Sequence, residues 1–298
     1  MNPSLLLLTD SRLPAGGHAH SGGTEQAIAS GAVHDLPTLA SFLRGRLHTT
    51  GALTATLTAT AHTQATHTRP EPIPNARDAR AAHRSEGVSD TRRSEGVSDT
   101  RRSEGVWDAP RPEGVWDAPR PEGVWDAPRP EGVWDVLDAE VDARTASPAQ
   151  RDASRTQGRL LLRVARRVWP SPVLDDLAQA TPNPHHPVAL GAVAYAAGAT
   201  MEEAAMAAAY HAISGPATAA VRLLGLDPVA VHALLATLTP DLTTIATKAA
   251  TAAAAPTTDV EAAGAVDFDA AALPAWSAPA LDLLAEQHAG ARIRLFVS

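Results

Sequence analysis

Proline divides this chain into helices. Pro3, Pro37, Pro148, Pro187, Pro228, Pro240 and Pro279 each stand near the start of a segment with helix-compatible spacing. A missing N–H is harmless there, and the fixed φ already suits the helix. Leu36, Leu39, Ala40, Leu43 and Leu47 give one such segment a buried face. Asp35 reads as an N-cap, and Ser147 with Gln150 and Thr200 with Glu203 have the spacing of capping boxes. No strand pattern competes, so the expectation is an all-α fold. Helices are expected at 3–9, 24–30 and from Leu36 to a stop at Gly51, then from Leu53 to about Thr66. They return at 134–143 and 151–169, the latter with Leu160, Leu161, Val164, Ala165 and Val168 inside as a central core helix. Segments 173–180 and 188–197 follow, then one from Met201 that should bend or break at Gly215-Pro216. The last helices are expected at 216–224, 228–238, 240–254 and 279–288.

Between the early and late helices the character changes. Ser85, Ser94, Ser103, Pro112, Pro121 and Pro130 each begin a near copy of a nine-residue unit containing Glu-Gly-Val. That period is too short for a helical solenoid, and the glycines and prolines oppose helix. Trp107, Trp116, Trp125 and Trp134 recur in the run, as peptide ligands for a partner would, but duplication of a coding unit explains such close copies more simply. The expected organisation is a single-domain helical bundle with a long low-complexity insertion. N-terminal helices occupy 1–66, the flexible repeats 67–133, and the remaining helices with a C-terminal docking tail 134–298. The acidic segment Pro256 to Ala272 reads as a second linker.

Composition removes several functions. The net charge of -8 argues against a nucleic-acid surface, and the absence of cysteine excludes disulfides and thiolate chemistry. Lys248 is the only lysine and has no glycine loop before it, so no Walker A site exists. The Gly16-Gly17 and Gly22-Gly23 pairs lack Rossmann spacing, and no Gly-x-Ser-x-Gly elbow is present. The expectation is therefore a non-enzyme without a cofactor. Leu5 to Leu8 is too short for a signal peptide, and no other apolar stretch spans a bilayer, which points to a cytoplasmic protein without a membrane partner.

One loop stands apart. Asp10 to Ala27 holds four glycines and Pro14 in front of a helical pattern, together with His18, His20, Ser21 and Glu25. Such a loop either seats helices or forms a recognition or metal site. His18 and His20, and the pair His185-His186, could ligate Ni(II) or Zn(II) through imidazole.

The run Pro14-x-Gly16-Gly17-x-x-x-Ser21-x-Gly-x-Glu25 resembles the N-terminus of the urease accessory protein UreF family. Arg151-x-x-Ser154-x-x-x-Gly158-Arg159-x-Leu161-Leu162 is similar to that family's central helix motif, and Ser214-Gly215-Pro216 through Asp227-Pro228 to the segment that follows it. The ending, Pro279 through Leu281-Asp282, His288 and Arg294-Leu295-Phe296-x-Ser298, is similar too. Histidines at 18 and 20 replace frequent aromatics, and the repeats are not a family feature.

The resemblance implies an all-α, non-enzymatic protein, dimeric within a complex, that joins UreD (also called UreH) and the GTPase UreG on apo-urease during nickel incorporation. It places Pro14, Gly16, Gly17, Ser21, Gly22 and Glu25 on a GTPase-facing or dimer surface. Gly215 and Pro216 become a kink in the central packing, and Arg294, Leu295 and Phe296 a dock for UreD. The alternative is a nickel-binding metallochaperone that uses surface histidines, His18 and His20 foremost; a helical hydrolase is a third reading.

Overall fold

The protein is described by a computed structural model at residues 2–10, 13, 19–67, 132–254, 268, 270 and 273–297. Among these residues all regular structure is helical. The helices are α1 (Pro3–Leu8), α2 (Thr24–Ala29), α3 (Leu36–Arg46), α4 (Ala52–His67), α5 (Val133–Arg144) and α6 (Pro148–Val168). They continue as α7 (Pro172–Ala180), α8 (His186–Ala196), α9 (Met201–Leu224), α10 (Pro228–Thr237), α11 (Thr239–Ala253) and α12 (Pro279–Gly290). Described residues on either side of the repeats belong to one compact unit. Residues 68–131, which hold nearly all of the nonapeptide block, lie outside the described residues, as does most of the expected linker at 256–272.

The expected caps form. Asp35 accepts from Thr38 N at 2.9 Å, Ser147 from Gln150 N at 3.1 Å and Thr200 from Glu203 N at 3.2 Å. These bonds satisfy N–H groups that have no partner inside the helix. The Gln150 side chain does not close its box; it donates instead to Asp282 at the start of α12, 3.0 Å away.

At the centre lies α8, whose residues Pro187 to Ala194 are all buried. It packs against α4, α6, α7 and α9, and α4 packs in turn against α9 and α11. Two glycines set these approaches. A Cβ on Gly191 of α8 would lie 2.4 Å from Thr58 O of α4, and one on Gly158 of α6 would lie 2.0 Å from Pro184 O just before α8. No side chain fits at such distances. Two buried threonines of α4 satisfy their hydroxyls on the preceding turn, Thr56 donating to Ala52 O and Thr60 to Thr56 O, both at 3.0 Å, whereas the buried Thr58 hydroxyl has no partner.

The structure corrects three expectations. The chain does not stop at Gly51: a π-helical turn, Leu47–Gly51, carries α3 into α4 without a break. Helix α9 also runs unbroken through Pro216. The inward face of α6 is Gly158, Leu161, Leu162 and Ala165, whereas Val168 is 49% exposed, and the central place belongs to α8. The helix expected at 134–143 forms, and Trp134, which the last repeat copy contributes to it, is a core residue, 2% exposed, whose indole N–H donates to Asp176 of α7 at 2.8 Å.

No single helix among the described residues is long and apolar enough to cross a membrane. Helices α10 and α11, bent by 46°, reach that length and composition only together.

Replacing Gly158 or Gly191 by Ala should cost about 3 kcal/mol or more, because backbone and not a flexible side chain must yield. Gly45, inside α3 with nothing within 4 Å of its added Cβ, should gain up to about 1 kcal/mol on the same change. Denaturant unfolding followed by circular dichroism measures all three.

Candidate functional site

Pro216 lies inside α9 and has no N–H, so the carbonyl four residues earlier, Ala212 O, loses its helical donor. The Arg46 guanidinium at the end of α3 replaces it: Nε donates to Ala212 O at 2.8 Å, and Nη1 donates to Gly22 O in the opening loop, also at 2.8 Å. One side chain thus repairs the proline defect and ties the loop to it. The loop passes this point with φ of 59° at Gly22 and 85° at Gly23, left-handed values that glycine adopts without strain. A Cβ on Gly22 would also meet Arg46 at 3.0 Å and Pro216 at 3.1 Å. Burial lowers the Arg46 pKa to about 10, and the guanidinium keeps its charge at neutral pH.

From this anchored loop α2 begins, and Glu25 in its first turn reaches the other end of the chain. Its carboxylate accepts from Leu295 N at 2.8 Å and from Phe296 N at 3.1 Å, and His288 Nδ1 lies 3.7 Å away. Val297 N donates to Ala19 O at 2.7 Å. The tail is therefore held by its backbone. Ile293, Leu295 and Val297 remain 87%, 75% and 59% exposed. A segment bound this way offers apolar side chains outward while the N–H groups of Leu295, Phe296 and Val297 are satisfied.

A family model described as UreF matches residues 116–239. A protein named urease accessory protein UreF from Mycolicibacterium vanbaalenii is 37% identical over 237 residues, covering 80% of this chain and 80% of its own. Proteins of the same name from Mycobacterium sp. strain JLS and Mycobacterium marinum are 34% identical over 295 and 294 residues. Those alignments cover 99% of this chain and 98% and 97% of theirs. The chain belongs to the UreF family of urease accessory proteins.

Within this UreF-family fold, the two ends that sequence treated separately are joined. Gly22, Glu25, Gly215, Pro216, Leu295 and Phe296 lie in one linked assembly, with Gly215 beside His20 O. Ser21 and Pro216 are buried, Gly22 and Glu25 are half-buried, and Arg294 is exposed. Pro14, Gly16, Gly17 and His18 lie outside the described residues. Arg46 and Ala212 were missed, since an arginine at a helix end and a bare carbonyl carry no local signature, while His288, part of the ending motif, stands beside Glu25.

The histidine pair does not form one site. His185 is the N-cap of α8; its Nε2 lies 2.9 Å from Asp142 Oδ1, and its backbone N–H donates to Asp138 at 2.7 Å. His186 stands in the first turn of α8 and faces His211 of α9, ring centre to ring centre 5.9 Å. Asp138, Asp142 and His185 bring ligand atoms within 4.8 Å of one another, but Arg155 already bonds both carboxylates, at 2.8 and 2.5 Å. The guanidinium supplies the cation there, and the cluster reads as an internal ion network joining α5, α6 and α8. Desolvation pushes the Asp142 carboxyl up, but hydrogen bonds from His185 and Arg155 outweigh it and hold the group below its usual value.

In an R46M variant the loop and the proline-freed carbonyl both lose their donor, a cost of about 2–3 kcal/mol. Pro216→Ala restores an N–H for Ala212 O. The R46M cost should then shrink by about 1 kcal/mol in the P216A background. A double-mutant cycle by denaturant unfolding reads this coupling, and strict additivity would contradict it.

Burial lowers His186 to about pKa 3 and His211 to about 4, whereas unfolded histidine titrates near 6.5. Between those values the unfolded chain binds protons that the folded chain does not, so stability is full above about pH 6.5 and lost as pH falls toward 4. Each such proton adds about 1.4 kcal/mol per pH unit to the slope. Replacing both residues with Asn should flatten this dependence, as pH-resolved denaturation would show.

Proposed function

We propose that this chain serves urease maturation as a scaffold, joining UreD and the GTPase UreG on apo-urease so that GTP hydrolysis by UreG is coupled to nickel incorporation. The observation that carries this reading is the tail: an apolar segment, fixed through its backbone by Glu25 and Ala19, with Ile293, Leu295 and Val297 left uncovered. Uncovered apolar side chains at a preset position suit a partner groove better than water. UreD is assigned to this tail, with Arg294 exposed beside Leu295. UreG or a second copy of the chain is assigned to the surface shaped by the opening loop. Val229 of α10, 75% exposed, adds apolar surface for the proposed homodimer. The chain brings no nucleotide loop of its own, so turnover belongs to the GTPase, and the cytoplasm is its place of work.

The domain reading is kept as part of this proposal: the helices before and after the repeats make the working unit, and the 67–133 block is an insertion without an essential role. Support comes from the single compact unit formed by residues on both sides.

Removing Arg292 to Ser298 should abolish co-purification with UreD while leaving helicity intact; unchanged binding would refute the tail assignment. Deleting Ser94 to Arg129, four whole units, should leave urease activation in a reconstituted or cellular assay near the full-length level. A large loss would mean that the repeats bind something.

A further inference from the structure

Helix α6 carries a strip of positive charge on its outward side. Arg159, Arg163, Arg166 and Arg167 are all exposed, whereas Gly158, Leu161, Leu162 and Ala165 turn inward. At about 100° and about 1.5 Å per residue, the four arginines fall within an arc of about 100° and a length of about 12 Å. The ion pairs of α6 are made by Arg151, Arg155 and Arg166, and no described carboxylate pairs with Arg159, Arg163 or Arg167. A face built only for solvation places acids one turn away from its bases, where each pair adds stability. Here the residues three and four positions from Arg163 are Arg159, Leu160, Arg166 and Arg167, and those around Arg159 and Arg167 include no acid either. Like charges at this spacing destabilise the free helix. The carbonyl end of α6 offsets this for Arg166 and Arg167, which stand in its last turn, but not for Arg159 and Arg163. The chain keeps this strip although its net charge is -8.

We propose that the Arg159–Arg163–Arg167 face of α6 docks an acidic helix of a protein partner, one that carries carboxylates at every fourth position. Arginines four residues apart recur about every 6 Å along α6, which is the rise between carboxylates at i, i+4 and i+8 on a second helix laid beside it. A planar guanidinium fork takes a carboxylate through two parallel hydrogen bonds, so arginine suits this pairing better than lysine would. Such a partner also removes the repulsion between the unpaired arginines. The strip is short and bounded by acids: Asp152 stands exposed on the same face about 10 Å before Arg159, and Asp175 holds Arg166 at the other end, 2.7 Å away. Those carboxylates, in an acidic chain, oppose a phosphate backbone that would run on past the strip. No Leu, Ile, Phe or Trp lies within the arginine arc to enter a bilayer, which separates this face from an interfacial membrane helix.

The inference goes beyond the scaffold reading and does not use it. Docking at α6 can fail while co-purification with UreD through the tail holds, and the reverse. The test titrates the full-length chain, isotope-labelled at arginine, with a synthetic helical peptide of about 20 residues built from Glu-Ala-Ala-Ala repeats. At low salt the Nε–H NMR signals of Arg159, Arg163 and Arg167 should move saturably, and that of Arg222, exposed on α9, should stay in place. Arg159→Gln, Arg163→Gln and Arg167→Gln should each weaken binding about two- to fivefold, the range of an exposed ion pair, and the triple variant at least tenfold. Arg222→Gln should leave binding unchanged, and the same peptide with Gln in place of Glu should not bind. Far-ultraviolet circular dichroism checks that the variants fold. Undiminished peptide binding by the triple variant, or no saturable shift in the unaltered chain, would overturn the site. Tighter binding of an oligothymidylate strand or of phosphatidylserine vesicles than of the peptide, at equal salt, would overturn the assignment to an acidic protein helix.

Discussion

The donation of Arg46 Nε to Ala212 O decides how the rest of the contact surface is held. A proline inside a long central helix leaves a carbonyl without its donor, and in a buried setting that group must find another. The replacement comes from α3, and the same guanidinium continues to Gly22 O. A local defect in α9 thereby becomes the anchor of the opening loop. The loop fixes the start of α2, α2 carries Glu25, and Glu25 fixes the tail. Three segments far apart in sequence become one surface through five hydrogen bonds to backbone groups.

Such a chain of contacts needs a rigid base, which the glycine-mediated approach of α8 to α4 and of α6 to the start of α8 provides. Small residues let the helix axes come close, and the buried faces are largely alanine and leucine. The Asp138–His185–Asp142–Arg155 network locks α5 and α6 to the beginning of α8, and Glu286 joins α12 to α6 by accepting from Ser147 Oγ and Ala149 N. The proposed scaffold role rests on this division: a packed interior positions segments such as the tail, whose Ile293, Leu295 and Val297 side chains are left exposed.

Much of the fold was legible because its signals are local. Asp35, Ser147 and Thr200 announce helix starts through side chains that reach three residues ahead, and the motif Ser154–Gly158 has a direct meaning. Ser154 Oγ accepts from His186 N, and Gly158 admits the backbone at Pro184. What was misread depended on distant partners. Pro216 looks like a break until Arg46 is placed beside Ala212, and Gly51 looks like a stop until its contact with Ala212, 3.3 Å from an added Cβ, shows why glycine stands there. His185 and His186 are neighbours in sequence, yet one is a cap in extended backbone and the other is the first helical residue, so their rings serve different surroundings. Trp134 shares the pentapeptide Glu-Gly-Val-Trp-Asp with the three copies before it, but Val136-Leu137-Asp138 follows it. That continuation supplies the core face that makes this copy the start of a helix.

The central claim is that Arg46 holds the tail indirectly, through the loop and Glu25. Amide hydrogen exchange by NMR at Leu295, Phe296 and Val297 tests it most directly, comparing the unaltered chain with an Arg46→Ala variant. The account predicts faster exchange at these three amides in the variant, together with Gly22 to Glu25, although Arg46 bonds none of the tail amides. Loosening of the loop alone, with tail amides protected as in the unaltered chain, would contradict it.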